Sequence, residues 1–452
     1  MRAIDIYNTG LAKHPSNFDL AYNKARLELE LSQQPKLVSK LPLSLIELLQ
    51  QAVASHRYAL HLDKENVDIL FNAAQSMTDL AEEIIENAAS EEQTIQQSPV
   101  FLLREALELL DICFQRQETL FEEQQSSSSN DLPLEEDGGV SLNANDEPQA
   151  PPRDEPDESQ TLATIQHPVT ASDLLDTANA SLSALILLVS VDEPSSLSTL
   201  AKLGDNLASR TIPQCIAQLP DSGQAAARAE AALEAASFVA ALSNSEFTSQ
   251  TIDMSTYLSR MATFESFDLT RDFAAICTYA DHLVELTKAV LQAASSKVHL
   301  QHEQEAWDSA TRALTLYVSA LDLHDSADLT PDRKASLLES RGDVALLRAR
   351  LCLTRFESPE AVRENRILHS NAAQWCYRDA AQVYRASGNE KAAAKVESRW
   401  LVSRLAADAY KAPQDQSRDR LLASLKSQGP LGELVAREML EEGLLEQNAL
   451  TV

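Results

Sequence analysis

The sequence predicts an all-α chain of stacked helical hairpins, interrupted by one long acidic loop. Three observations carry that prediction. Only 10 glycines occur in 452 residues, about a third of average usage, too few for a turn-dense β architecture or a glycine-rich phosphate loop. Leu, Ala, Glu, Gln and Arg, all strong helix formers, are abundant. Small residues and an aromatic also recur at helical spacing. Ala3, Tyr7, Gly10 and Pro15 lie 4, 3 and 5 residues apart, and Ala52, His56, Ala59 and Lys64 repeat those spacings 49 residues later. Small residues at that spacing let two helices approach closely, with the aromatic filling the next layer.

Residues 2–13 read as the first helix, stopped at Pro15, and 19–31 as the second. Pro35 and Pro42 break a connector. An amphipathic helix over 45–62 pairs with one over 68–88, and Pro99 opens a helix over 100–123. The chain thus starts with what reads as the second helix of a hairpin, so an upstream helix or a capping half-repeat is expected.

Residues 124–165 change character. Four serines from Ser126 to Ser129, the acidic runs Glu135-Glu136-Asp137 and Asp154–Glu158, and several prolines leave little to bury, and the segment is expected to be disordered. Ser128, with Asp131 three residues on, resembles an acidophilic kinase site. Three regions follow: helical hairpins over 1–123, the acidic loop over 124–165, and a second helical region over 166–452.

Order resumes at Thr170, an N-cap with Asp173 three residues on. A strongly apolar helix over 173–191 is expected to be buried on most sides. Helices follow over 197–218 (interrupted at Gly204 and Pro213), 224–242 with an alanine face, 246–264 and 270–295. Ala313, Tyr317 and Ala320 bring the repeat spacing back within 299–323. Thr330-Pro331-Asp332 and Ser358-Pro359-Glu360 are strong helix starts. Gly388-Asn389 marks a turn between hairpin helices, and helices over 393–410, 415–427 and 430–447 complete the chain.

These spacings resemble the tetratricopeptide repeat, a helix-turn-helix unit with an Ala-x3-aromatic-x2-Ala pattern followed by proline on its second helix. Ala3-Tyr7-Gly10-Pro15, Ala52-His56-Ala59 and Ala313-Tyr317-Ala320 carry that half, and Ala381, Tyr384, Gly388 and Ala393 match a first helix, its turn and the next start. The resemblance covers about half the chain; residues 170–300 show no clear repeat. It implies a right-handed superhelix whose concave face binds protein segments. An asparagine late in the first helix often holds a bound peptide in that family. That places Asn23 and Asn72 as partner-binding residues, with Arg26 and Gln75 further along the same helices. Tyr22 and Phe71 depart from the lysine–asparagine–arginine clamp some members use for carboxylate tails.

A formal net charge of −30 repels phosphate backbones and anionic lipid, so neither nucleic acid nor membrane is an expected partner. It favours basic protein partners through long-range steering. Five cysteines without a Cys-x-x-Cys pair read as buried reduced thiols. No signal peptide is visible, and the longest apolar run, 182–191, is half of a bilayer span. With no basic localisation run, the expected compartment is the cytoplasm, with the nucleus second.

Phosphate-loop, dinucleotide and nucleophile-elbow motifs are missing from the sequence. His299 and His302 supply two nitrogens where zinc needs three or four ligands. No cofactor, metal or catalytic residue is therefore expected, and Trp307, Trp375 and Trp400 read as core. The reading is a non-enzymatic adaptor or assembly chaperone for a basic client. The alternative is a constitutive structural subunit held by apolar edges at Leu109-Leu110 or Leu444-Leu445. A helical enzyme with an unrecognised site ranks last.

Overall fold

A computed structural model describes residues 2–38, 41–86, 98–128, 168–293, 302–323, 328–411, 423, 429–441 and 444–445. Among them there are helices and turns and no strand. The N-terminal helices are α1 (Arg2–Lys13), α2 (Phe18–Ser32), the single turn α3 (Pro35–Val38), α4 (Leu45–Leu62), α5 (Val67–Glu86) and α6 (Pro99–Ser128). The middle holds α7 (Ala171–Val191), α8 (Leu197–Asn206), α9 (Ile212–Gln218), α10 (Asp221–Thr248) and α11 (Met254–Met261). The last set is α12 (Phe273–Ala293), α13 (Glu303–Asp322), α14 (Pro331–Arg355), α15 (Pro359–Ala386), α16 (Glu390–Lys411) and α17 (Pro430–Glu441).

Capping chemistry sets many of the starts. Ser44 and Glu47 form a reciprocal box, the Glu47 amide donating to Ser44 Oγ at 3.2 Å and the Ser44 amide to Glu47 Oε2 at 2.7 Å. Thr170 and Asp173 repeat it for α7. Thr330 and Ser358 accept from the amides of Arg333 and Ala361, each ahead of a proline at the first helical position. Gly388 closes the α15–α16 turn at φ +82°, a left-handed conformation that suits glycine.

Helices pack mainly on their sequence neighbours. α4 lies between α2 and α5, α6 between α5 and α7, and α12 to α17 continue in order. Helix α10 joins the two ends by facing both ways. Phe238 and Leu242 enter a core running from Leu29 to Ile216, while Ala236, Ala240 and Phe247 enter a second core that ends at Leu445. The fold is thus an array of helical hairpins, as the composition and spacing require.

Four details differ from the sequence reading. Helix α6 runs to Ser128, five residues beyond 123; the rest of the acidic loop (129–165), the 415–427 helix apart from residue 423, and His299 lie outside the described residues. The 246–264 helix is two helices, because Gln250 takes φ 62° and Thr251 folds back onto the Glu246 carbonyl. Nothing in Ser249-Gln250-Thr251 announces that turn. Residues 197–218 are not broken at Gly204 or Pro213. A π turn, Leu207–Thr211, joins α8 to α9 and lets Pro213 sit in a first helical turn, where its missing N–H is harmless. Finally, Ala225, Ala226, Ala229 and Ala232 are exposed, and the buried residues of α10 lie in its later half, from Ala236 onward.

Helix α7 is, among the described residues, the one long and apolar enough to cross a bilayer, with a mean hydropathy of 1.7 over its best window. Half of that window is buried in the fold, where Leu174, Leu182, Leu185 and Leu188 form the centre of the first core.

Candidate functional site

Helices α2 and α5 carry the four residues the resemblance singles out, and they do not behave alike. Asn23 is exposed on α2. Arg26, also exposed, donates from Nε to Glu30 Oε1 at 2.9 Å, a surface i,i+4 pair of only a few tenths of a kcal/mol, roughly. On α5, Asn72 Nδ2 donates to the Tyr22 hydroxyl at 2.8 Å. Gln75 Nε2 donates to Asp79 Oδ1 at 2.9 Å, and Gln33 reaches the other oxygen at 3.5 Å. Asn23 thus presents an open amide, while Asn72 ties α5 to α2 and Gln75 holds Asp79 within α5, where Gln33 from the end of α2 also reaches it.

Tyr22 explains the asymmetry. It stacks on Phe18 with ring centroids 5.7 Å apart. Burial pushes its hydroxyl up, and the charge of Asp68 adds to this, so it stays neutral and accepts from Asn72. Fifty residues separate the partners, and no local pattern in the sequence links them.

Behind this face, α1, α2 and α4 enclose a cleft of about 270 Å³ walled by Leu11, Ala21, Lys24, Ala54, Ser55 and Tyr58. Lys24 Nζ lies 3.7 Å from Glu28, whose side chain is 1% exposed. Burial pushes the Glu28 carboxyl up, against hydrogen bonding from Ser55 and the charge of Lys24, and its Oε2 has no partner. His56 is fully buried. Its Nδ1 lies 2.8 Å from the Ala52 carbonyl, so that nitrogen carries the proton. Nε2 then faces no donor, and burial pulls the imidazole down to about 4.

The second core uses the same frame with different polar chemistry. Tyr317, between buried Ala313 and Ala320, donates to Asp281 at 2.5 Å. Tyr377, between buried Ala373 and Ala380, donates to Asp343 at 2.6 Å. The copy that repeats the first bond is therefore Ala373-Tyr377-Ala380, upstream of the Ala381–Ala393 segment. Arg399 of α16 completes the second lock, with Nη1 2.8 Å from Asp343 and Nε 3.3 Å from Glu339. Gly342 makes room for the ring: a Cβ there would lie 2.5 Å from Tyr377 Cε1.

All five cysteines are free. Burial pushes Cys113 and Cys277 up to about 12 and Cys215 and Cys352 up to about 11, so none of these four is a thiolate near neutrality. Among the described residues no three His, Cys, Asp or Glu side chains converge to hold a metal. The tryptophans depart from the core expectation at one position: Trp375 is 60% exposed, with Arg378 stacked 4.0 Å from its ring centre. Of the apolar edges expected at Leu109-Leu110 and Leu444-Leu445, Leu110, Leu444 and Leu445 are buried and Leu109 is half-buried against the first core.

No family of known proteins matches the sequence, and no curated protein sequence does either. Among solved structures, the chain is similar to one described as a "circular tandem repeat protein with novel repeat topology and enhanced subunit contact surfaces". Identity is 14% over 97% of this chain and 90% of that one, at a TM-score of 0.31, a likeness too distant to carry an argument about function.

Proposed function

We propose that the protein is a non-enzymatic, protein-binding scaffold of the adaptor or assembly-chaperone kind, resident in the cytoplasm. The observation that carries this reading is the packing order. Apart from α10, which packs on α7 and α12, the helices are covered mainly by their sequence neighbours, and such arrays expose long continuous faces suited to extended partners. The face formed by α2 and α5 offers Asn23 as an open contact and Arg26 in an exposed pair with Glu30, with Asn72 and Gln75 beside them. The net charge of −30 supports a basic protein client and disfavours direct nucleic-acid contact. The protonated state of the buried thiols and the sealed position of His56 give no support to nucleophilic or acid–base chemistry.

Affinity capture from native extract at about 0.1 M and 0.5 M salt tests this, since exposed charge contacts are largely screened at the higher value. A basic protein released by salt, and lost with Asn23→Ala/Arg26→Glu, is the expected result. Neutral or acidic partners held equally at both salts would sink the basic-client reading. A constitutive subunit remains the second reading on one observation: Leu368 and Trp375 are 61% and 60% exposed and lie seven residues apart on α15, where a permanent partner would cover them.

A further inference from the structure

The described arginines of this acidic chain include two that meet at one ring and find no carboxylate there. On α14, Arg348 and Arg355 are seven residues apart and so share a helix face. Their Cζ atoms lie 4.5 and 5.0 Å from the centre of the Trp307 ring. Phe356 and His369 pack edge-on against the same indole, at 6.3 and 5.7 Å. Arg355 donates to the neutral Gln304 Oε1. Arg348 Nε is buried without a hydrogen-bond partner, as is Nε of Arg341, one heptad earlier on the same face. No described carboxylate lies within 4.0 Å of Arg348 or Arg355. Glu303 and Glu305, at the start of α13, each keep a buried oxygen without a partner.

That arrangement is repulsive as it stands. Two like charges share a half-buried corner, and burial and the Arg355 charge both disfavour the protonated form of Arg348. Stacking on the indole nevertheless holds both guanidinium groups against the ring and uses none of their N–H donors. A planar or tetrahedral oxyanion would satisfy the free donors and cancel the repulsion together. Access is open, because Arg355 is exposed. We infer that the Trp307–Arg348–Arg355 corner binds a single oxyanion group, either a carboxylate or a phosphoryl group, carried by a partner or small molecule. This site is distinct from the α2–α5 face and has the opposite charge preference.

Isothermal titration calorimetry of the full chain tests it with two probes, inorganic phosphate and N-acetylglutamate amide. Saturable 1:1 binding of at least one probe is expected, at least about tenfold weaker in Arg348→Gln and in Arg355→Gln. Binding of phosphate alone identifies a phosphoryl source; binding of the glutamate derivative alone identifies a carboxylate source. A melting scan without probe supplies a second readout. If the corner is strained for want of an anion, Arg348→Gln melts no lower than the parent, whereas a purely structural stacking arginine would lower the melting temperature. No binding of either probe at about 10 mM, or unchanged affinity in folded Arg355→Gln, overturns the inference. Asn23→Ala should leave both titrations untouched, so failure here is separable from failure of the scaffold reading.

Discussion

His56 in α4 and Tyr377 in α15 occupy the same place in the same frame, four residues after one buried alanine and three before another. The frame does the same steric work in both, letting a neighbouring helix approach a ring. The polar outcome differs. A tyrosine carries its hydroxyl at the tip of the ring, far enough out to reach Asp343 on the adjacent helix. An imidazole turns one nitrogen back to its own helix at Ala52 and leaves the other with no donor. Alanine spacing therefore sets how close helices come, while the tip of the aromatic decides whether a directional bond also fixes their register. The α12–α16 hairpins have such bonds, and the α4 position has shape alone.

Several substitutions test that contrast, read by hydrogen exchange because arrays of this kind open segment by segment. Arg399→Ala should act most strongly. It removes the cation from Asp343 and Glu339 in a site where Arg399 is 4% exposed, which costs about 3–5 kcal/mol when a buried pair is broken from one side. Protection should fall across α14–α16 and hold across α4–α6; an equal fall in both would show that the two regions open together. Acid comes next. His56 titrates near 4 when folded against an ordinary value of 6.5, so between those values the unfolded chain binds more protons and stability drops as pH falls. The drop is roughly 1.4 kcal/mol per pH unit. His56→Phe should remove that slope from α4 and α5 between pH 6.5 and 4.5. Glu28, raised by burial, acts with the opposite sign and stays in place in the variant, so an unchanged slope would mean His56 is not the titrating group.

Gly342→Ala forces a methyl against the Tyr377 ring and should lose about 1–3 kcal/mol, visible as a lower denaturant midpoint for the α14–α15 signal. Tyr377→Phe should lose less, about 1 kcal/mol, because Asp343 keeps Arg399 as a partner. If it lost as much as Arg399→Ala, the hydroxyl rather than the cation would be the centre of the lock. Asn72→Ala should be smallest, roughly 0.5–1 kcal/mol, for one half-buried bond to Tyr22.

What the sequence revealed follows from which interactions are local. Thr170, Thr330, Ser358 and Gly388 announce helix ends because cap and partner lie within three or four residues. The Gln250 turn stayed hidden, since a non-glycine residue adopts a glycine-like angle there. The Tyr317–Asp281 and Tyr377–Asp343 bonds span 36 and 34 residues. Only their alanine flanks were legible, and for the second copy the neighbouring Ala381–Tyr384 pair masked it. At the proposed site, Asn23 and Asn72 match in sequence, but Tyr22 captures only the second. The Arg348–Trp307 contact joins separate helices, and nothing in the one-dimensional pattern marks it.

The π turn at Leu207–Thr211 bears on how this chain tolerates changes in length. Such a turn holds one more residue than an α turn, so removing a single residue there would leave one regular rod from Leu197 to Gln218. The side chains of Ile212, Cys215 and Ile216 would keep their inward phase. Elsewhere in the array the same deletion rotates everything downstream by about 100°. This segment is therefore where the chain could shrink by one residue and keep its interior.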